Sequence, residues 1–453
     1  MARMVANNQF FIGEIVSLVI ITIAGILLSV FLKLPLLFGF MPGVVILVVL
    51  CRRKGTGWGD LVKTGVHGAL KTREVVIILL LVSMLLPAWG MGGTISYIVA
   101  VALRFLTVDH FVVLSFTITL VFSMLLGTAV GSLSAIGIPI MSAASSIGLP
   151  QEVVAGALVS GAFVGDRTSP FSSANQLLAA TVEVPVFSQF KKLLLTTLVG
   201  LLGCLVFYFV MDFNLDRKAT ITGDNSIPLH NAGQYSFINL VPALLLLLLA
   251  CFRWKIKYAF ICSILAAILI AVINGNEPTA IAEQLWNGSS QLGGGIKHML
   301  LLVLFIAVAG VYNGLIEEFH VLQPILDRWL NTSNSLTGST VKTMVASLII
   351  SIIACNQTLP IILTGRSFLS YWQQRHSKVE LSRIVADSSM LFPGMIPWSI
   401  LTIMCSTIVG VPVVNYLPYA VFIWLLPIAT IIISYVRQTF SKQKQEVAGS
   451  CVS

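Results

Sequence analysis

Two carboxylates stand in otherwise apolar surroundings, Asp166 and Asp387, 387 − 166 = 221 residues apart. Each lies within or at the end of an apolar run and is followed by hydroxyls and a proline. After Asp166 come Arg167, Thr168, Ser169, Pro170, Ser172 and Ser173; after Asp387 come Ser388, Ser389 and Pro393. A carboxylate's proton affinity rises with burial and falls beside a cation or a hydrogen-bond donor. The same oxygens accept Na+, so one carboxylate can hold either ion and couple the two by competition. Na+ also requires neutral oxygens, for which Ser169, Ser172, Ser173, Ser388, Thr128, Ser132 and carbonyls freed at chain breaks are candidates. The alternative for Asp166 is a salt bridge to Arg167 or Arg383 that pins helices; for Asp387 it is a cap on the helix that follows.

Other polar groups fall where a solute or ion would pass. Asn356, Gln357 and Thr358 interrupt a later apolar run, as ligands or as interhelical hydrogen-bonding groups. Gln176, Arg383 and Ser399 complete the pathway set, with Trp398, which reads more readily as a packing aromatic than as a substrate stack. Glu317, Glu318 and His320 close a helix beside Asn313 at an expected interface. Asp60, Glu152, Asp212, Asp216, Asp224, Glu277 and Glu380 read as solvated or interfacial.

The elements that must position these groups are membrane helices. The chain is 57% hydrophobic and 10% charged, against roughly 25% charged for an ordinary soluble domain. Apolar runs of about 18 residues or more recur throughout, each able to span hydrocarbon as a helix. The alternating segments of a membrane barrel do not occur. This predicts an all-α polytopic membrane protein whose partner is the lipid bilayer, with Phe10 to Leu32 retained as a helix. The net charge of +9 does not indicate nucleic acid. Basic residues gather at Arg52-Arg53-Lys54, at Arg253 to Lys257, from Arg366 to Arg383 and in the tail, as a positive-inside bias expects. The seven cysteines are scattered without metal or disulfide spacing. No Walker lysine motif supports ATP-driven transport, and Gly165-Asp166 lacks the preceding glycine of an intramembrane aspartyl protease. Transport therefore fits better than an enzyme, with no cofactor implied.

Spans are expected near residues 10–32, 36–51, 75–90 (interrupted by Pro87), 94–106, 110–127, 151–165 and 189–212 and, beyond the polar linker, near 236–252, 258–274, 341–354 and 417–437, with an amphipathic segment at Arg52–Arg73 carrying Trp58, Leu61, Val62, Val66 and Leu70. The stretch 213–235 is the one long polar linker. After it the order of features restarts: Asp387 follows Asp166 by 221 residues, and Gly310 follows Gly90 by 310 − 90 = 220. Matching order argues for a duplication, dividing the chain into a first repeat 1–212, a second repeat 236–440 and a tail 441–453. The loop after the second helix is basic in the first half, whereas its counterpart near 275–296 carries Glu277 and Glu283. Equivalent loops thus lie on opposite faces and the repeats are inverted, with both termini cytoplasmic. Secondary transporters commonly place substrate on broken helices between such repeats.

At these residues the chain resembles the NhaC-type sodium/proton antiporter family, whose relatives include malate/lactate exchangers. The matching residues are Gly161-Ala162, Gly165-Asp166-Arg167-Thr168-Ser169-Pro170 and Ser172, Gly131 to Ile138, Leu381-Ser382-Arg383 with Asp387-Ser388, Ile396-Pro397-Trp398, and Tyr416-Leu417-Pro418-Tyr419-Ala420. The resemblance implies a bacterial inner-membrane antiporter with discontinuous helices and about 11–13 spans, moving Na+ against H+ by alternating access. The alternative is Na+- or H+-coupled exchange or symport of a small organic acid or amino acid; a homo-oligomer is compatible with either. The chain departs from the family pattern at Ser173, usually aspartate, Gln176, usually asparagine, and Ala386, usually glutamate. It also departs at Ser389, usually glycine, and Ser399, usually asparagine. Two site carboxylates are thereby missing, which favours fewer bound cations or an exchanged organic anion.

Overall fold

The computed structural model describes residues 10–32, 34–98, 110–214, 237–252, 254–288, 295–322, 324 and 335–450. Most of the polar linker, the segment beyond residue 98 of the span near 94–106, and residues 451–453 of the tail lie outside them. Among the described residues there is no strand. Nine helices there are long and apolar enough to cross a bilayer, or ten if Ile400–Val409 and Val413–Tyr419, bent by 83°, form one broken span. The chain is a multi-pass α-helical membrane protein, as its hydropathy requires.

The first half opens with α1 (Ile12–Phe31) and α2 (Leu36–Arg53), then α3 (Trp58–Lys71) and α4 (Arg73–Met91). The α3 helix is amphipathic as its spacing predicts: Trp58, Val62, Val66 and Leu70 are exposed in one stripe. Leu61, expected in that stripe, instead lies on the buried face with Gly65 and Gly68. The α4 helix continues through Pro87, where the sequence reading placed an interruption. A proline removes one backbone donor, a loss that packed neighbours absorb in a membrane bundle.

Next come α5 (Phe111–Leu126), α6 (Ala129–Ser146, widened over Leu133–Gly137), α7 (Gln151–Thr168), α8 (Ser173–Thr181) and α9 (Val186–Asn214). Asp212, expected at a solvated or interfacial position, is buried near the end of α9 and accepts from the Val112 and Val113 amides, both at 2.9 Å. It thus caps α5, because four first-turn N–H groups of any helix need outside acceptors.

The second half runs through α10 (Val241–Cys251), α11 (Ile256–Ile273), α12 (Pro278–Asn287), α13 (Ile296–Glu318), α14 (Leu336–Ala354), α15 (Thr358–Arg375) and α16 (Lys378–Asp387). It ends with α17 (Ile400–Val409), α18 (Val413–Tyr416) and α19 (Val421–Ser450). The stretch Arg366 to Arg383, read as a basic loop, is mostly helix. Ile361, Thr364, Phe368 and Trp372 recur at helical spacing and are buried, so the basic residues of α15 occupy the opposite face. Arg383 is fully buried on α16. The last long helix begins at Val421, later than the expected 417, and runs on to Ser450 into the stretch assigned to the tail.

Two apolar clusters form the interior. One gathers α4, α5, α7, α9 and the start of α19; the other gathers α1, α2 and α13 to α16. Ile78, Val130 and Met395 pack against both clusters. The order helix, break, helix, then helix, break, helix occurs twice, as α5–α6 with α7–α8 and as α14–α15 with α16–α17. The first break of each set has a left-handed residue, Gly127 (φ 68°) and Cys355 (φ 53°).

Candidate functional site

Small residues bring Asp166 to the first break. Gly161 and Gly165 lie one turn apart on α7, where a Cβ on either would strike α5 at Phe116–Thr119 or at Ser123. Close backbone approach of this kind is how membrane helices associate. Ser123 locks the contact by donating to the Ala162 carbonyl (2.5 Å) and accepting from the Gly165 amide (2.8 Å). The chain then leaves α7 through Ser169-Pro170-Phe171-Ser172. Ser169 donates to the Met124 carbonyl at 2.8 Å, and Ser172 donates to the Asp166 carbonyl at 2.5 Å while capping α8 through the Asn175 amide.

Gly127 must be glycine twice over. Its φ is left-handed, and a Cβ there would meet the Phe171 and Ser172 backbone at 2.6–2.8 Å. Gly127→Ala is expected to cost about 1–3 kcal/mol and to lower the thermal midpoint of the purified protein in detergent. An unchanged midpoint would show that the break tolerates a side chain.

Asp166 therefore lies between two breaks. One carboxylate oxygen accepts from the Ala129 amide at 3.3 Å, at the positive end of α6. The other accepts from the Gln357 carboxamide at 2.8 Å, which also donates to the Met390 carbonyl at 2.9 Å. Gln357 belongs to the second break, held by the Ile400 amide on the Cys355 carbonyl at 2.8 Å and by the Leu359 amide on Asn356 at 2.9 Å. The side chain of Asp166 is buried, and among the described residues no cation pairs with it.

Asp387 has the opposite environment. Arg167 donates to it from Nε at 2.7 Å and pairs with it again through a terminal nitrogen. Thr430 donates to its other oxygen at 2.5 Å. Arg167 spends its remaining donors on Thr168 (3.0 Å), Thr197 (2.7 Å) and Thr196 (2.6 Å), so this fully buried pair is saturated. The salt bridge weighed for Asp166 thus belongs to Asp387. Nearby on α16, Glu380, read as solvated or interfacial, is buried among Arg383, Lys192 (2.5 Å) and Arg437 (3.2 Å). The sequence held no signal for Lys192 and Arg437, which come from α9 and α19.

The remaining candidates separate by contact. Thr128 and Ser132 frame the start of α6, where Ser132 donates to the Thr128 and Ala129 carbonyls, both at 3.0 Å. Ser173 is exposed on α8, and exposed Gln176 donates to the Pro170 carbonyl at 2.9 Å. Ser388 donates to the Ile384 carbonyl at 2.6 Å, and Ser389 pairs with Ser347 at 2.7 Å. Trp398 donates to the Ile352 carbonyl at 3.0 Å; the Ser399 hydroxyl is buried without a partner among the described residues.

A cavity of about 500 Å3 opens beside the second break, lined by Asn356, Gln357, Thr358, Asn313, Lys71 and Glu317 among others. A second cavity of about 600 Å3 shares Lys71, Gly314 and Glu317 with it and includes Asp60, Lys63 and His67. The two meet at the Lys71–Glu317 ion pair (2.9 Å). Gln357 thus borders both a cavity and the Asp166 carboxylate.

Comparison with known proteins gives a consistent family. The sequence pattern of the Na+/H+ antiporter family matches residues 164–437, which include Asp166, Gln357 and Asp387. The Na(+)/H(+) antiporter NhaC of Bacillus subtilis is 26% identical over 401 residues, covering 85% of this chain and 88% of the relative. The NhaC of Alkalihalophilus pseudofirmus is 26% identical over 420 residues, covering 88% and 90%. A malate-2H(+)/Na(+)-lactate antiporter of Bacillus subtilis is 27% identical over 430 residues, covering 90% and 91%.

Proposed function

The chain belongs to the Na+/H+ antiporter family, and from that membership we propose that it exchanges Na+ for H+ by alternating access, with both ions competing for Asp166. One observation carries this reading. Of the four buried carboxylates among the described residues, Asp387 and Glu380 are held by cations and Asp212 caps a helix. Asp166 is held only by an amide side chain and one long backbone bond, both of which an arriving cation can displace or share. The Gln357 carboxamide beside it, and Thr128, next in the chain to Ala129, would supply neutral oxygens.

A single free carboxylate carries one Na+ or one H+ at a time. The exchange is then one for one and electroneutral, in keeping with the carboxylates missing at Ser173 and Ala386. The cavity reaching Gln357 is the access route of this conformation. Its wall includes the end of α3, which follows the basic Arg52-Arg53-Lys54 segment in the chain, so the route is assigned to the cytoplasmic side, where positive charge gathers. The alternating partner of this state comes from the two repeats, 1–212 and 236–440, acting as inverted halves in a bacterial inner membrane.

Purified protein in proteoliposomes tests the reading with a Na+ jump and an internal pH dye. Competition makes the apparent Na+ affinity improve with rising pH, by up to about tenfold per unit where the proton dominates the site. A clamped membrane potential should leave the rate unchanged. A Na+ affinity independent of pH would remove competition at one carboxylate, and a rate that follows the potential would remove the one-for-one stoichiometry.

A further inference from the structure

Helix α3 has three faces. Leu61, Gly65 and Gly68 are buried, and a Cβ on Gly68 would strike the Gly310 and Gly314 backbone of α13, so this face is fixed by close packing. Trp58, Val62, Val66 and Leu70, each four residues from the last, form the exposed apolar stripe. Asp60, Lys63, His67 and Lys71, three or four residues apart, form a third, polar stripe. All four line the 600 Å3 cavity, which is completed by Val66 and Leu70 of the apolar stripe and by Glu317, Glu318 and Phe319 from the end of α13. The apolar span Ile296–Glu318 ends there, which places this groove at the depth of lipid headgroups. Lys71 and Glu317 pair with each other. Asp60, Lys63, His67 and Glu318 are exposed and have no hydrogen-bond or ion-pair partner among the described residues. Singly each is an ordinary surface group; together they put unpaired charges of both signs beside an apolar stripe in one groove.

We propose that this groove binds one phospholipid of the surrounding bilayer, whose headgroup joins a phosphate to a primary ammonium, as in phosphatidylethanolamine. Lys63 and the His67 ring N–H take the phosphate oxygens, and Asp60 and Glu318 accept from the ammonium. The acyl chains follow Val66 and Leu70 towards the hydrocarbon, as amphipathic surface helices hold lipid. Charge decides the class. Three carboxylates, Asp60, Glu317 and Glu318, face two lysines, Lys63 and Lys71, across the groove, so a headgroup carrying only negative charge would meet uncompensated repulsion. A trimethylammonium has no N–H to donate, so it cannot form the charge-assisted hydrogen bonds that two free carboxylates offer. The groove shares Lys71, Gly314 and Glu317 with the cavity that reaches Gln357, so a seated headgroup borders the entrance of that cavity. The site is separate from Asp166 and does not require the Na+/H+ reading to hold.

The test measures thermal unfolding of the delipidated full-length protein in dodecyl maltoside micelles containing dioleoyl phosphatidylethanolamine, against micelles with the matching phosphatidylcholine or phosphatidylglycerol. The ethanolamine lipid should raise the midpoint at a lower mole fraction than either of the others. Lys63→Gln and Glu318→Gln each remove an exposed charge without a partner, so their lipid-free midpoints should equal the wild type. In both, the ethanolamine-specific rise should vanish or need at least tenfold more lipid. The proposal is overturned if phosphatidylcholine acts equally, which would show only general lipid solvation, or if phosphatidylglycerol acts more strongly, which would assign the groove to an anionic lipid. It is also overturned if no lipid shifts the wild type or if both variants keep the full response. A lipid-free midpoint that falls in either variant would show a partner for that charge within the protein and count against it as well. Each outcome is independent of the Na+-driven pH change, whose presence or absence judges the antiport reading alone.

Discussion

Asp166→Asn is expected to leave a folded protein in the membrane that no longer moves protons in response to Na+. The amide does not titrate across the working range, so the proton half of the cycle disappears. Na+ loses its charged ligand, and interactions with charged groups are worth about 1.5–3 kcal/mol, equivalent to an affinity loss of roughly 10- to 150-fold. The fold should survive because the side chain keeps its shape. Its oxygen can still accept from Gln357, while its –NH2 would face the weaker contact with the Ala129 amide at 3.3 Å. The check is a Na+ jump on proteoliposomes, with gel-filtration behaviour and a thermal midpoint confirming the fold. Wild-type exchange by this variant would remove Asp166 from the mechanism. Asp166→Glu provides the graded control: the charge remains, displaced by one methylene, so exchange should persist with a shifted Na+ requirement.

The second large effect concerns stability. Removing either member of the Arg167–Asp387 pair leaves a fully buried, uncompensated charge, which costs about 3–5 kcal/mol. Asp387→Asn strands Arg167 on three threonine hydroxyls, and Arg167→Met strands Asp387 on Thr430. Both single variants should unfold at clearly lower temperature and lose exchange as a consequence. The double variant Arg167→Met/Asp387→Leu should recover most of the loss, since exchanging a buried pair for apolar groups of similar volume is often neutral. A stable Asp387→Asn protein that has nonetheless lost exchange would contradict this, and would make Asp387 an ion carrier. The double-variant cycle separates the two roles because only a structural pair is rescued by removing both charges.

The hydropathy of the chain contained the membrane class outright, since an apolar run of sufficient length has one economical state in lipid. Two of the helix breaks were equally legible. Gly127 and the Cys355-Asn356-Gln357 run stand out because backbone left without intrahelical partners survives in a membrane only when buried in protein. The same logic marked Asp166 before any geometry was known. It failed for Asp212 and Glu380, read as solvated or interfacial residues and both buried in the structure. Charge near a helix end looks alike in sequence whether it meets water or a partner, and the partners here lie on α5, α9 and α19.

What the sequence determined by itself, then, is the solvent of the chain, the helices that solvent demands, and the few places where polar backbone and carboxylates interrupt them. What only the tertiary structure decided is which carboxylate is bound and which is free. Asp166 and Asp387 have similar local sequences, each beside hydroxyls and near an arginine. Their difference arises because Arg167 points from α7 to α16 and reaches Asp387, 220 residues away, while Gln357 reaches Asp166 across 191. Burial makes each such contact decisive, because an intramembrane carboxylate has little water to fall back on. Its chemistry is therefore set by its nearest donor, and which donor is nearest depends on how helices distant in the chain pack together.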